Sequence, residues 1–433
     1  MTDIYQNDQL FLQNIFPYLI AEMDRYYGIN NPFNGGKVIE REHIYSAQTP
    51  KKQMKVLITT FWDYPFIGGL QNYITSLKTG LENLGHSVDV IAPNHFPSDE
   101  MEALRDYFSK KFTYFFTERY GSCNDKILHN ISKLYSYYTM LENMNLAQYD
   151  IIHAQDRYTA NVMGVLNHAL QKPLLFTPHG FMTHNRLKFN LIEKGSVEEI
   201  YFSAIDKQAI KYANQIIILC DVFRPILMDI GASENKMTTV YTGIEFGGGT
   251  IKKESKNKTV ITCVARLRPR KGHKYLFKAL ARLKDKLENV EVRIVGDGEM
   301  KKKLKKLVRK LKLKNVSFLG SREDIPELLS ESDIFVLPTT SDTLPISIIE
   351  AMLSNQAILT TNCGGIPEII KNHYSGLIVE PANSKQLAEK LLFLLENKTA
   401  RSELASNAKE FAFQHLTVSK MSQKIEVIYQ SLL

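Results

Sequence analysis

Two carboxylates, Asp342 and Glu350, stand with seven residues between them in the stretch DIFVLPTTSDTLPISIIEAMLSNQAILTTNCGGIPEII, residues 333–370. The apolar run 333–338 is rich in β-formers and reads as a buried parallel strand. A polar loop, 339–344, follows it. Pro345 suits the first turn of a helix, where its missing N–H is not needed. Ile348, Ile349 and Met352 give that helix an apolar face with Glu350 beside it, Asn355 can end it, and 357–361 is another strand. The result is a βαβ unit. Its loop falls at a strand's carboxyl end and a helix's amino end, where doubly wound sheets bind anions. Glu350 lies about 7–8 Å along the axis beyond Pro345. One phosphate cannot occupy both places. An elongated ligand fits, with phosphates at the helix start and hydroxylated ends near Asp342 and Glu350, and a nucleotide sugar has that layout. The alternative is that Asp342 only caps the helix and Glu350 is solvated.

A second constellation is cationic. In VARLRPRKGHKYLFKAL, Arg266 follows a strand and Lys271 comes five residues later, just before a helix. Arginine offers a bidentate fork and lysine a point charge, so the two can clamp a diphosphate. They would then stabilise charge growing on a departing diphosphate. The alternative is a solvated basic loop. A third group comprises His153, Asp156 and His179, which fall at the carboxyl ends of two predicted strands, where active sites of such sheets collect.

Elements must hold these groups in place. The runs 55–60, 86–93, 150–155, 173–178, 215–220 and 237–242 read as strands separated by helical patterns. A second series begins at Thr259 with TVITCVA, VEVRIVG, VSFLG, DIFVLP, AILTT and GLIVE. Between the two series, the glycines and charged tail of EFGGGTIKKESKNK mark a boundary. The expected domains are an extension, 1–50, with two short amphipathic helices around 9–26; a Rossmann-like domain, 51–246; a linker, 247–258; a second Rossmann-like domain, 259–405; and a carboxyl-terminal helix, 406–433, packing back on the first domain. The loop after the first strand lacks G-x-G-x-x-G spacing, so a nicotinamide cofactor is not supported.

The 433 residues are 44% hydrophobic and 23% charged, the balance of a soluble globular protein. No run approaches a membrane span, and MTDIYQNDQL lacks the basic start and apolar core of a signal peptide. The four cysteines, Cys123, Cys220, Cys263 and Cys363, show neither metal-site nor disulfide spacing, and three of them lie in or beside predicted strands, which predicts buried thiols in a reducing cytoplasm. A net charge of +8 favours an anionic partner. Two stretches concentrate that charge. LRDYFSKKFTYFFTERY sets Arg105, Lys110, Lys111 and Arg119 among aromatics, and reads either as a strand and helix with a core aromatic face or as an acceptor-side or membrane-surface element. KKKLKKLVRKLKLK carries Leu304, Leu307, Val308 and Leu311 at helical spacing. It reads as a surface helix packed on a core, with contact to acidic membrane as the alternative. No nucleic-acid-binding motif accompanies either stretch.

From about residue 55 to the carboxyl terminus, the sequence resembles the family-4 retaining glycosyltransferases of the GT-B fold. The marks are PFIGGLQNYITSLKTGLENLGHSVDVIAP, FTPHG, VARLRPRKG, VGDGE, VSFLG and SDTLPISIIEAMLSNQAILTTNCGGIPEII, in that order. The resemblance implies an α/β architecture of two Rossmann-like doubly wound domains facing a central cleft, the linker allowing closure. It implies transfer of a hexose-type sugar, with retention, from a nucleoside-diphosphate sugar to a saccharide or lipid-linked acceptor. UDP is the common donor nucleotide of the family, and surface polysaccharide or glycoconjugate synthesis its common setting. Gly68 and Gly69 match the family's glycine loop, and His179 the histidine on the transferred sugar. Arg266 and Lys271 match the diphosphate pair, and Glu350 the glutamate on the donor ribose. Gly296, Thr343, Leu344 and Pro345 fall in donor-side motifs, and His153 and Asp156 on the acceptor side. Asp342 departs from the pattern, standing where the family has a glutamate one methylene longer. No cofactor is expected beyond the substrate. With no Asp-x-Asp in the chain, metal ligands are not indicated and Arg266 and Lys271 would supply the counter-charge. The location implied is cytoplasmic, with peripheral contact at the inner membrane face. Two other readings stay open: a sugar-nucleotide epimerase on the same fold, and a non-catalytic GT-B protein serving in an assembly.

Overall fold

Among the described residues, apolar β-branched runs too short for helices but long enough to cross a sheet become twelve strands, arranged in two parallel six-stranded sheets. In a computed structural model of the chain, the described residues are 15–30, 33, 52–66, 68–180, 182–245 and 258–433. Two compact units form. One takes Met1–Ile218, Phe223–Val240 and Gln423–Leu433, and the other takes Leu219–Val222 and Tyr241–Ser422. The expected linker, 247–258, lies outside the described residues except for Lys258, and so does most of the expected extension.

In the first unit, helix α1 (Pro17–Tyr27) precedes strand β1 (Lys55–Thr59), α2 (Gly69–Asn83), β2 (Ser87–Ile91), α3 (Ser98–Tyr120) and α4 (Asp125–Glu142). Then come β3 (Ile151–Ala154), α5 (Arg157–Leu170), β4 (Leu174–Phe176), α6 (Met182–Lys188), α7 (Val197–Tyr212), β5 (Gln215–Ile218), α8 (Phe223–Ile230) and β6 (Met237–Thr239). The sheet order is β2-β1-β3-β4-β5-β6. Its centre is apolar on both faces: Val56, Leu57, Ile58, Ile151, Ile152, Leu174, Leu175 and Ile216 are fully buried. Each such side chain contributes about 1.5–3 kcal/mol relative to exposure. The strand order reverses between β1 and β3, and ligands of open α/β sheets bind outside the carboxyl ends of the strands at such a switch point.

The stretch after residue 100 corrects one expectation. Residues 98–120 form one helix with no strand. Its buried Phe108, Phe112, Phe115 and Phe116 follow helical spacing, and Phe108 and Phe112 pack against Tyr135 of α4. Arg119, read from the sequence as part of a basic surface, is instead an internal partner of α1. Its Nε and Nη2 donate to the two carboxylate oxygens of Asp24 at 2.6 and 2.5 Å, and Tyr120 Oη donates to the same carboxylate at 2.9 Å. Burial alone would raise the Asp24 carboxyl, but the hydrogen bonds from Arg119, Phe33 N and Tyr120 hold it below its ordinary value. This pair therefore contributes stability that is present above the ordinary carboxylate range and lost as pH falls through the depressed value. Asp24→Asn takes the charged acceptor from a half-buried guanidinium, and a loss of about 1.5–3 kcal/mol is expected in urea unfolding at neutral pH. The loss should shrink toward pH 3.

The second unit repeats the plan: β7 (Thr259–Val264), α9 (His273–Arg282), β8 (Val290–Val295), α10 (Lys301–Lys310), β9 (Val316–Gly320), α11 (Ile325–Ser330) and β10 (Ile334–Leu337). It continues through α12 (Ile346–Leu353), β11 (Ala357–Thr361), α13 (Ile366–Ile369), β12 (Leu377–Val379), α14 (Ser384–Glu396), α15 (Lys398–His415) and α16 (Val418–Gln430). The order β12-β11-β10-β7-β8-β9 is the doubly wound arrangement with its switch between β7 and β10. The carboxyl-terminal region is not one helix from 406. α15 ends at His415, Thr417 bridges to Ile244, and α16 begins afresh. Residues 423–433 belong to the first unit. There Tyr429 Oη lies 2.7 Å from His153 Nδ1, and Glu426 lies 3.0 Å from His86 Nε2.

Candidate active site

The loops after β7 and β10 flank the switch point of the second sheet, and they carry Arg266, Lys271 and Asp342. Two glycines let them approach. Gly272, at φ +73°, lies where a Cβ would meet the Pro338 carbonyl oxygen at 1.7 Å, and Gly364, at φ +56°, where one would meet the Asp342 carbonyl oxygen at 1.9 Å. No side chain fits at either position. Gly296 has a packing role of the same kind: its Cβ would meet the Ala265 carbonyl oxygen at 2.2 Å, and its N–H donates to the Gly320 carbonyl at 2.7 Å. That backbone approach accounts for the glycine without a ligand.

Asp342 sits among cations. Lys271 Nζ donates to Oδ2 at 2.5 Å and Arg270 Nη1 to Oδ1 at 3.0 Å. The carboxylate is 9% exposed and the Lys271 side chain 11%. One acid does not balance this loop. Burial, with the positive charges of Arg268 and Arg270, pushes the Arg266 guanidinium below its ordinary value. Burial also lowers Lys271, where the pull of Asp342 is opposed by Arg270 and Arg266. Cations that are partly desolvated and crowded against one another make a site that gains from an incoming anion.

Thr343, Leu344 and Pro345 form the bridge from this acid to α12. Gly365 N–H donates to the Thr343 carbonyl at 2.7 Å, Leu344 is buried, and Pro345 occupies the N-cap. Glu350 is half-buried one turn further on, and no hydrogen bond or ion pair engages its carboxylate among the described residues. Burial pushes it up from 4.5 to about 7.

In the first unit, Gly68 caps α2 and Gly69 is its first residue. A Cβ at Gly68 would meet only the flexible end of Gln71. His179 follows β4, half-buried and set edge-on to Tyr73 with ring centroids 4.7 Å apart. Burial lowers it to about 3, so it is neutral. Its Nε2 lies 3.0 Å from Gln155 Oε1, an acceptor, which places the ring proton on Nε2. The two residues expected on the acceptor side are engaged internally. His153 is fully buried, with Nε2 2.7 Å from Thr177 Oγ1 and Nδ1 on Tyr429, and has no face left for a substrate. Asp156 caps α5, accepting from Tyr158 N and Thr159 N at 2.9 Å each, and from Phe61 N at 2.7 Å. Both are corrected to structural roles.

Comparison with known proteins gives the family. Residues 250–411 match the family model described as "Glycosyl transferases group 1", and residues 67–246 match "Glycosyltransferase Family 4". The chain belongs to this glycosyltransferase family. Among its relatives is the N,N'-diacetylbacillosaminyl-diphospho-undecaprenol alpha-1,3-N-acetylgalactosaminyltransferase of Campylobacter jejuni, 29% identical over 74% of this chain and 85% of its own length. Another is the UDP-Gal:alpha-D-GlcNAc-diphosphoundecaprenol alpha-1,3-galactosyltransferase of Escherichia coli, 24% identical over 84% of this chain and 94% of its own. Among solved structures, HepE of Anabaena in complex with UDP-glucose superposes with a TM-score of 0.65 at 21% identity, covering 88% of this chain and all of that one. The fold of this glycosyltransferase is GT-B.

Three groups at the glycosyltransferase's site escaped the sequence reading. Arg270 shares Asp342 with Lys271, and the RPRK string offered no means of choosing it over Arg268. Cys363 Sγ accepts from Asp342 N at 3.3 Å. His273, the first residue of α9, is 2% exposed with neither ring nitrogen bonded, and burial beside Lys271 lowers it to about 4. Among the described residues, no group of three or more His, Cys, Asp or Glu is placed to hold a metal ion.

Proposed function

We propose that this glycosyltransferase moves a hexose-type sugar from a UDP-sugar, with retention and without a metal, to a saccharide carried on a lipid diphosphate. The observation that carries the reading is the cluster of Arg266, Arg270 and Lys271 around one short carboxylate at the sheet's switch point. There the diphosphate meets the cations and the first turn of α12, and Glu350 accepts hydrogen bonds from the ribose. As the sugar–phosphate bond breaks, negative charge grows on the leaving diphosphate, and Arg266 and Lys271 stabilise it. Asp342 orients Lys271 and Arg270 and takes sugar hydroxyls at its free edge. Neutral His179, its proton on Nε2, serves a sugar hydroxyl without adding charge. The lipid-linked acceptor is supported by the names of the Campylobacter jejuni and Escherichia coli relatives. UDP is supported by the latter's name.

Thermal unfolding with UDP, GDP and ADP tests the donor site. A nucleotide at 100 times its dissociation constant adds about 2.7 kcal/mol. A shift with UDP that survives EDTA and is lost in Arg266→Ala is expected. A shift abolished by EDTA would overturn the metal-free reading, and a shift with GDP alone would change the base. The anomeric configuration of the first product, read by NMR, tests retention.

A further inference from the structure

Helix α10 and the turn after it carry nine lysines and arginines between residues 301 and 314, and no acid. Removing those nine charges from the chain's net +8 leaves −1, so this one segment makes the protein basic. All six exposed positions of α10 are cations: Lys302, Lys303, Lys305, Lys306, Arg309 and Lys310. At 100° per residue they sweep an arc of about 160°. None of the six is in an ion pair among the described residues, whereas Lys301 pairs with Asp297 at the helix start. The neighbouring α9 adds Lys274, Lys278 and Arg282 and no acid. Six like charges on three turns repel one another and help neither α10 nor the sheet beneath it.

We propose that α10 is the surface by which this protein docks on an anionic lipid bilayer. The inference rests on the reading above that the acceptor is carried on a lipid. Two features favour a bilayer over nucleic acid. No aromatic stands among the exposed positions to stack on bases. Eight of the nine cations are lysines, point charges suited to a diffuse headgroup field rather than the forked grip of arginine on single phosphates. The apolar stripe of the helix is already spent: Leu304 and Val308 are buried in the second unit's core. Docking is therefore electrostatic and non-inserting, and salt reverses it.

Co-sedimentation of the full-length protein with vesicles of phosphatidylcholine, with and without phosphatidylglycerol, tests this. Binding is expected only with phosphatidylglycerol, to be lost at high salt, and to weaken at least roughly tenfold in the triple variant Lys302→Gln, Lys303→Gln, Lys306→Gln. The variant's melting temperature and its shift with UDP should match the wild type. Unchanged vesicle binding by the variant, equal binding to neutral vesicles, or tighter binding to a single-stranded oligonucleotide would each overturn the proposal. Failure of the donor reading would show separately, as a wild-type protein that binds vesicles and ignores every nucleotide. Failure of the acceptor reading would show as vesicle binding without transfer to a lipid-linked saccharide in detergent.

Discussion

Lys271→Ala is expected to lower kcat/KM for a UDP-sugar by about 10²–10³-fold, the usual loss when one preorganised donor to a developing anion is removed. The effect has two sources. The variant loses a cation held ready in a nearly buried position, 11% exposed, where charge is poorly screened. It also leaves Asp342 facing the diphosphate with only Arg270 to neutralise it, so an attractive contact is replaced by a repulsive one. Arg270 still pairs with Asp342 at 3.0 Å, so the fold should survive, and a near-native melting temperature separates chemistry from collapse. Steady-state kinetics at saturating acceptor makes the measurement. A rate equal to wild type would remove Lys271 from the site.

Glu350→Gln should show opposite effects on stability and on binding. The folded protein raises the Glu350 carboxyl from 4.5 to about 7 because burial disfavours its charged form. The sign follows from linkage: the folded state prefers the proton, so stability is fully present below the ordinary value and falls as pH rises to about 7, by about 3 kcal/mol. Glutamine cannot ionise. The variant is therefore expected to be more stable than wild type at pH 8, by up to about 3 kcal/mol, and indistinguishable near pH 4. Donor affinity should fall about 10–100-fold, since hydrogen bonds from ribose to a charged acceptor are lost. In the wild type, UDP binding should strengthen with pH up to about 7 and release a proton, which calorimetry in buffers of different ionisation enthalpy reads directly. A variant less stable than wild type at pH 8 would show that Glu350 is held by a favourable contact.

The strands and the second unit's charged loops were legible because their signals are local. DIFVLP and TVITCVA can hardly be anything but buried strands, and a cation placed between such a strand and a helix falls at the sheet's carboxyl edge whatever the rest of the chain does. The misreadings lie where a distant partner decides. His153 and His179 look alike in sequence, each at a strand end, but Tyr429 closes on the first from 276 residues away and leaves the second open. Asp156 reads as a free acid until Phe61 N–H, contributed by another strand's loop, joins its cap. Arg119 reads as surface charge until α1 brings Asp24 against it. The dense aromatics of α3 mimic a strand, and only the spacing of the buried four, at 108, 112, 115 and 116, betrays the helix. Arg270 was hidden by its neighbours, since choosing among adjacent arginines requires the turn that ends at Gly272.

Because residues 423–433 complete the first unit, that unit cannot close until chain made after the whole second unit is available. The first sheet has all its strands once Thr239 leaves the ribosome, yet His153 keeps an unsatisfied ring nitrogen, and His86 lacks Glu426, until the last turns of α16 emerge. The second unit, translated later, has its whole sheet and core available sooner relative to its own completion. The nascent first unit thus lacks the partners of His153 and His86 through the making of the second. Its final locking needs the last turns of α16, and a chain stalled or terminated before them presents an unfinished amino-terminal half to chaperones and proteases.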